Sequence, residues 1–331
     1  MYSLSRRSLI ATAAAVAATP ASWAQSGPYP NRPLSLVVPY PAGGPSDAAA
    51  RIFAEAIGKD LKQPVIVENI GGGTGVIGAN KVLGAAPDGY TFFHGSVNEV
   101  ILAPLLNEAA KYKSTDFKFA QPTTEATIVL LVRNGLNINT LDEFIAYAQK
   151  NKDKPLSFAT VGIDSLYHLM GEAMAKRTGA NFLHVPYKGS APALQDLAGG
   201  QVDFAILAYQ VSMDGMAQQG RLKLLTSFSK NLPPTLKHIP KIDASKQLPD
   251  FEHTIGGGYL VRKDTPGALV DRLRVAVGHA LQQADVRARL EAEGRTVLLP
   301  LATQAQADAY LVAQVNRYIQ LLKDVGRQPV R

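Results

Sequence analysis

The sequence predicts an α/β protein built from two units whose sheets are mostly parallel. Strand-like runs of about four to seven β-rich residues alternate with helical periodicity along almost the whole chain, the pattern of parallel sheets covered by helices. At 331 residues the chain has room for about two domains, each with its own core. Two stretches near the front share one order of parts: a β-branched strand, a glycine-rich loop, then an Ala-rich helix. They are Leu34-Ser-Leu-Val-Val-Pro-Tyr-Pro-Ala-Gly-Gly-Pro-Ser-Asp47 and Val65-Ile-Val-Glu-Asn-Ile-Gly-Gly-Gly-Thr-Gly75. Such turns aim backbone N–H groups and the positive end of a helix dipole at one point, which makes a seat for an anion.

The first residues read as an export signal rather than as part of the fold. Arg6-Arg7 precedes an apolar run to about Ala18, and Ser22-Trp-Ala24 supplies a small-residue cleavage site before Gln25. The run is too short to span a bilayer. The paired arginines resemble a twin-arginine signal, with Sec export as the alternative. Cleavage after Ala24 would leave 307 residues, with 32 basic against 27 acidic ones, a net +5. The chain has no cysteine, which excludes a disulfide framework, a thiolate metal site, a cysteine nucleophile and a lipoprotein anchor. Its basic residues are spread out rather than massed in a stripe with aromatics, so nucleic acid is not an expected partner. A mild positive balance suits anionic solutes.

After the first loop, Ile52, Phe53, Ala56, Ile57 and Leu61 recur at helical spacing, with Ser46 or Asp47 as the expected cap. The second loop opens a helix near Val76 with Val76, Ile77, Val82 and Leu83 inward, and Pro87-Asp-Gly-Tyr90 turns the chain into a strand at Thr91-Phe-Phe-His94. A second unit begins with a strand at Thr127-Ile-Val-Leu-Leu-Val132. Thr140-Leu-Asp-Glu143 is a capping box for the helix that follows. Next come the strand Leu156-Ser-Phe-Ala159, the loop Thr160-Val-Gly-Ile-Asp-Ser165, and a helix ended by Gly179. The strand Asn181-Phe-Leu-His-Val185 leads through Pro186-Tyr-Lys-Gly189 to a helix from Ser190, followed by strands at Val202-Asp-Phe-Ala-Ile-Leu207 and Leu222-Lys-Leu-Leu-Thr226. Gly256-Gly-Gly-Tyr-Leu-Val-Arg262 reads as a further strand, and Thr265-Pro266 as a cap with a first-turn proline. Two helices, about 285–293 and 304–323, complete the cover.

Among six histidines, His168 with Glu172 one turn later comes nearest to a metal-ligand spacing. A pair on a helix surface is the plainer reading. Ser165 and Ser190 each follow a strand, where helix capping accounts for them without catalysis. No Gly-x-Ser-x-Gly elbow and no Walker loop occurs. Gly73-Thr-Gly75-Val-Ile-Gly78 is a literal G-x-G-x-x-G, with Glu99 downstream as a ribose partner. It keeps an exported NAD(P)-dependent oxidoreductase as the alternative function. Against it, the motif sits on the second strand–helix unit and no hydride-transfer constellation accompanies it.

From about Pro30 to Leu322 the chain resembles the Bug-type extracytoplasmic solute receptors of tripartite tricarboxylate transporters. The resemblance rests on Val38-Pro-Tyr-Pro-Ala-Gly-Gly-Pro-Ser-Asp47 with Ala50-Arg51, on Val67-Glu-Asn69 with Gly72-Gly-Thr-Gly75 and Ile77-Gly78, and on Ala86-Pro-Asp-Gly-Tyr-Thr91. In the second unit it rests on Ser165-Leu-Tyr-His-Leu169, His184-Val-Pro-Tyr-Lys-Gly189 and Leu197-Ala-Gly-Gly-Gln-Val-Asp203. It implies a type II periplasmic-binding-protein fold, two α/β lobes joined by two crossover strands, with the ligand cleft between them. The expected layout is a signal peptide over 1–24, lobe one from 25–126 plus 255–331, and lobe two from 127–254. The crossings then fall near Glu125 to Arg133 and Thr254 to Arg262.

The resemblance further implies a soluble, monomeric, non-enzymatic receptor in the periplasm. It would bind no cofactor or metal and would deliver a small carboxylate to integral-membrane permease subunits, or serve a signalling partner instead. Receptors of this kind hold a carboxylate largely through backbone N–H groups and waters rather than a buried arginine. By matching motifs, the lobe-one seat is Tyr40, Ala42, Gly43, Gly44 and Asp47, with Gly73, Thr74, Gly75 and Ser96 beside it. The lobe-two seat is Thr160, Gly162 and Ser165, with Tyr187 and Lys188 at the rim and Asp203 at a strand start. The sequence departs from the family pattern at Ser96-Val-Asn-Glu99, Ile239-Pro-Lys-Ile-Asp243 and Gly257-Gly-Tyr-Leu-Val-Arg-Lys-Asp-Thr-Pro266.

Overall fold

A computed structural model describes residues 28–330. The expected signal segment, with Arg6-Arg7 and the cleavage site after Ala24, lies outside the described residues. In chain order, β1 (Leu34–Val38), α1 (Pro45–Leu61), β2 (Val65–Asn69), a 3₁₀ turn (Gly73–Gly75), α2 (Val76–Gly84) and β3 (Thr91–Ser96) open the fold. A π-helical turn (Asn98–Leu102) runs into the short α3 (Ala103–Leu106), and β4 (Phe117–Arg133) follows. Then come α4 (Leu141–Lys150), β5 (Leu156–Thr160), α5 (Leu166–Thr178), β6 (Phe182–Pro186), α6 (Ser190–Ala198), β7 (Phe204–Ala208), α7 (Ser212–Gln218) and β8 (Leu222–Ser227). The chain returns through β9 (Thr254–Arg262) and closes with α8 (Gly267–Gln282), α9 (Ala284–Ala292), β10 (Arg295–Val297) and α10 (Gln304–Val325).

Neighbouring strands follow the order β2-β1-β3-β9-β4-β7-β5-β6, with β8 and β10 also paired to β4. β1 is parallel to β2 and β3, and β5 is parallel to β6 and β7. Between these parallel groups, β9 runs antiparallel to both β3 and β4. The 17-residue β4 serves both sides: its first part pairs with β9 and β10, and its second part with β7 and β8. One apolar cluster under α1, α8 and α9 holds the first sheet, and a larger one runs through the second sheet to α10. This is the α/β fold that the sequence predicts; of the two strands expected to cross, β4 pairs in both groups, whereas β9 pairs only with β3 and the first part of β4.

Several local expectations change. β4 begins at Phe117, well before the Thr127 start read from sequence. Pro122 and polar neighbours hide its first half, and Pro122 is tolerated because the ladder with β9 shifts register there. Neither Ser46 nor Asp47 caps α1. Gly44 is the N-cap and Pro45 the first helical residue, while the Asp47 carboxylate reaches back to the N–H of Gly43 at 3.0 Å. Ser190 is likewise not a cap, since Gly189 holds that position. Pro266 is itself the N-cap of α8, one place earlier than a first-turn proline. Ile77 is 54% exposed instead of inward, lying over the glycine loop at Gly72. Ser165 and Gly179 act as read: the Ser165 hydroxyl accepts the His168 N–H, and Gly179 takes a left-handed φ of 67°. Thr140 caps α4 by accepting the Glu143 N–H, but the expected box is only half formed, since the Glu143 carboxylate takes the N–H of Asn139 at 2.7 Å.

The glycine run of β9 has a packing cause. A Cβ on Gly258 would lie 2.6 Å from Phe119 Cε1, 2.7 Å from Pro122 Cα and closer still to the Gln121 carbonyl. Two of those atoms are backbone, so the strand pair can admit a side chain only by separating. Gly258→Ala is therefore expected to destabilise the protein by about 3 kcal/mol, read as a lower midpoint in urea unfolding; an unchanged midpoint would contradict this packing account.

Candidate functional site

The carboxyl ends of β1, β3, β5 and β7 converge, and ligands of open α/β sheets bind beyond such strand ends. Between them lies a cavity of about 40 Å³. The first sheet contributes Tyr40, Gly44 and Ser46 around the start of α1, and His94, Ser96 and Asn98 at the end of β3. The second contributes Val161 after β5, Tyr167 on α5, Ser190 at the start of α6 and Ala208 ending β7. Gly256 and Gly257 of β9 and Arg295 of β10 close the back.

Asn98 ties the two sides together. Its Nδ2 donates to the Tyr40 hydroxyl at 3.2 Å, and its Oδ1 accepts the N–H of Leu166, the first residue of α5, at 2.8 Å. Next to it Glu99 is wholly buried, its Oε2 accepting from the Ser96 N–H at 2.6 Å and the Ser96 hydroxyl at 2.8 Å. Burial pushes the Glu99 carboxyl above its usual range and the Tyr40 hydroxyl above its own.

The back wall is more unusual. Arg295 is 6% exposed; its Nη1 donates to Thr124 Oγ1 at 3.0 Å and its Nη2 to the Pro45 carbonyl at 2.6 Å. Its Nε has no partner, and among the described residues no carboxylate lies within ion-pair distance of it. Burial draws its pKa below the ordinary arginine value. His94, also 6% exposed, has an unpartnered Nδ1, and its ring packs at 5.4 Å from that of Tyr259, whose hydroxyl is unpartnered too. Burial first, then the Arg295 charge, pulls His94 down to about 3, so the ring is neutral near pH 7.

The residues predicted for the two facing seats divide between the cavity, a second space and neither. Tyr40, Gly44 and Ser96 line the cavity. Gly73, Thr74, Gly162, Tyr187 and Lys188 line a separate, open groove of about 420 Å³. There the Thr74 hydroxyl donates to the Ile163 carbonyl at 2.8 Å, and Gly162, at φ 145°, leaves only 2.5 Å between a Cβ and that hydroxyl oxygen. The Tyr187 hydroxyl is turned to Asp196 at 2.7 Å.

Ala42, Gly43, Asp47, Gly75, Thr160, Ser165 and Asp203 line neither space. Asp47 is engaged by Arg51, Asn69 and Gly43; burial pushes its carboxyl up, but those hydrogen bonds outweigh it and hold the group low. Thr160 pairs with His184 Nε2 at 2.7 Å, and Ser165 donates to the Gly162 carbonyl at 2.8 Å. Asp203 binds Arg133 and Ser157 at 2.9 Å, at the far end of β7 from Ala208, about 16 Å away at strand rise.

His168 is not on a helix surface: it is 9% exposed and stacks on His184 with ring centroids 3.9 Å apart. Tyr167 and Asn98 lie inside stretches singled out in the sequence, Ser165-Leu-Tyr-His-Leu169 and Ser96-Val-Asn-Glu99, without being assigned to the site, and nothing in the local sequence points to His94 or Arg295. Ser190 and Ser46 were read only as helix caps.

The G-x-G-x-x-G stretch is used for packing. A Cβ on Gly75 would lie 3.1 Å from Glu99 Cδ and closer to its Cγ, and one on Gly78 would lie 3.0 Å from the Ile70 carbonyl. Glu99 therefore presses against the loop from inside.

The model of the tripartite tricarboxylate transporter family receptor matches residues 49–327. BugT of Bordetella pertussis is 30% identical over 306 residues, covering 90% of both chains. The structure is similar to that of the periplasmic binding protein BugD, with a TM-score of 0.83 and 33% identity over 91% of this chain and 99% of that one. It is also similar to MatC from Rhodopseudomonas palustris with bound malate, with a TM-score of 0.81 and 29% identity over 89% and 100% of the two chains.

The neutral buried histidine makes a pH prediction. Its folded pKa of about 3 lies below the ordinary 6.5. The unfolded chain therefore takes up a proton that the folded protein refuses as pH falls from 6.5 toward 3, and stability drops across that window by up to about 1.4 kcal/mol per pH unit for each such group. Urea unfolding between pH 6.5 and 4.5 is expected to show a slope that His94→Gln lowers by about one proton; an unaltered slope would contradict the assignment.

Proposed function

The chain belongs to the tripartite tricarboxylate transporter receptor family, and from that premise we propose that it captures a small carboxylate between two lobes in the periplasm and presents it to membrane permease subunits. On this reading lobe one is residues 25–126 with 255–331 and lobe two is 127–254. The observation that carries the proposal is the cavity at the converging strand ends, walled from both sheets by hydroxyls, the Asn98 amide and the starts of α1 and α6. Helix N-termini present N–H groups and positive dipole ends to an anion. Malate in MatC supports the ligand class. No helix among the described residues is long and apolar enough to cross a membrane, so presentation to a permease would need a separate membrane subunit.

Two contacts between the sides support closure on this reading. Thr74 to Ile163 and Asn98 to Leu166 join the two sides by hydrogen bonds at 2.8 Å, while β4 and β9 cross between them. Ligand would favour the joined form, and hinge bending at the crossings would release it.

Two measurements test the reading. In a thermal-shift screen of the mature protein against lactate, malate, adipate and citrate, at least one acid is expected to stabilise it, by roughly 2.7 kcal/mol at 100 times its dissociation constant. Stabilisation by NAD(P) and by none of the acids would overturn the receptor reading. Gly44 has an ordinary extended backbone, φ −93°, and a Cβ there would meet nothing nearer than the Pro41 carbonyl at 3.8 Å. Gly44→Val is therefore expected to fold normally by circular dichroism and to abolish the ligand-induced shift.

A further inference from the structure

We infer that Arg295 is the side chain that takes the ligand's carboxylate, and that charge recognition at this site is side-chain as well as backbone in origin. The inference rests on the receptor reading above. A guanidinium carries five N–H donors in a rigid fork, and here only two directions are used, toward Thr124 Oγ1 and the Pro45 carbonyl. The Nε–H is buried without an acceptor, and the side chain lines the cavity. Buried arginines are normally paired with carboxylates. The acids around this one are engaged elsewhere: Asp47 with Arg51, Asn69 and Gly43, and Glu99 with Ser96 behind the cavity wall. Glu293 acts on it only from beyond ion-pair distance, and Val211 N–H approaches the Glu293 carboxylate at 3.5 Å.

The other polar groups of the back wall cannot supply the missing charge. His94 and Tyr259 face the guanidinium as neutral groups with unpartnered atoms, so the wall holds one full positive charge and no counter-charge. An incoming carboxylate completes it, accepting from Nε–H, from the second Asn98 Nδ2–H and from the backbone N–H groups at the start of α1; both Ser96 donors are already given to Glu99. Closure around that pair removes water, which strengthens the ionic hydrogen bond.

A residue held for binding in this way has a stability signature. Burying an unpaired ion costs more than two hydrogen bonds return, so an apolar substitute of similar length is expected to leave the empty protein at least as stable. Isothermal titration of the full mature chain with lactate, malate, adipate and citrate, for wild type, Arg295→Met and Arg295→Gln, tests this. The acid that binds wild type is expected to lose about 100-fold or more in affinity in both variants, while the ligand-free melting temperature stays at or above the wild-type value. Wild-type affinity in either folded variant would overturn the role of Arg295 and leave the receptor reading standing. A sharply lower melting temperature with affinity retained would make Arg295 structural. If none of the acids binds wild type, the receptor reading falls and this inference with it.

Discussion

The antiparallel pairing of β4 with β9 is the constraint on which the rest of the structure depends. Its register runs from Phe117 opposite Arg262 to Thr127 opposite Thr254, and through β9 it links β4 to β3 and so to the first parallel group. Because β4 continues into the second sheet, the direction in which its pleat leaves Thr127 sets where β7, β5 and β6 lie. The glycines of β9 follow from this: strands on both sides approach the backbone so closely that Gly257 would put a Cβ 3.1 Å from the Gly95 carbonyl. The same glycines form the floor of the cavity, so close strand packing and an open site come from one stretch of chain.

Much of the fold was legible because its signals are local. Strand, glycine loop and helix follow one another within about 15 residues at β1 to α1 and at β5 to α5, where hydrophobic period and capping residues speak together. What was hidden is what depends on partners far along the chain. The first half of β4 is rich in polar residues, yet Gln121, Thr123 and Thr124 are buried and bonded to Leu301, Gly257 and Arg295. β10 is three residues long, too short to leave a period, and the π-helical turn at Asn98–Leu102 has no sequence signature of its own.

The glycine-rich second loop shows how a motif can be right about conformation and misleading about use. Gly73, Thr74 and Gly75 have φ of 59°, 52° and 89°, a tight left-handed turn of the kind that can cradle an anion. In this fold the concave side of the turn is filled by Glu99, and its outer edge reaches across to Ile163. The loop thus belongs to the contact between the two sides, whereas the first loop, one strand away, opens onto the cavity. A resemblance that matched both loops could not separate these roles, because the separation is made by a side chain 24 positions downstream of Gly75.

Arg295 marks the boundary between what family pattern and what physics can say. It reaches the Pro45 carbonyl 250 residues back in the chain, and so touches the N-terminal end of the very helix whose loop the sequence identified as an anion seat. The guanidinium bonded to that carbonyl adds a full positive charge beside the N-terminus of α1, the same sign as the positive end of the helix dipole there. The C-terminal segment therefore does more than cover the first sheet. It places a buried guanidinium on the same cavity as Tyr40, Gly44 and Ser46, so that the charged and the backbone donors proposed for one ligand come from opposite ends of the chain.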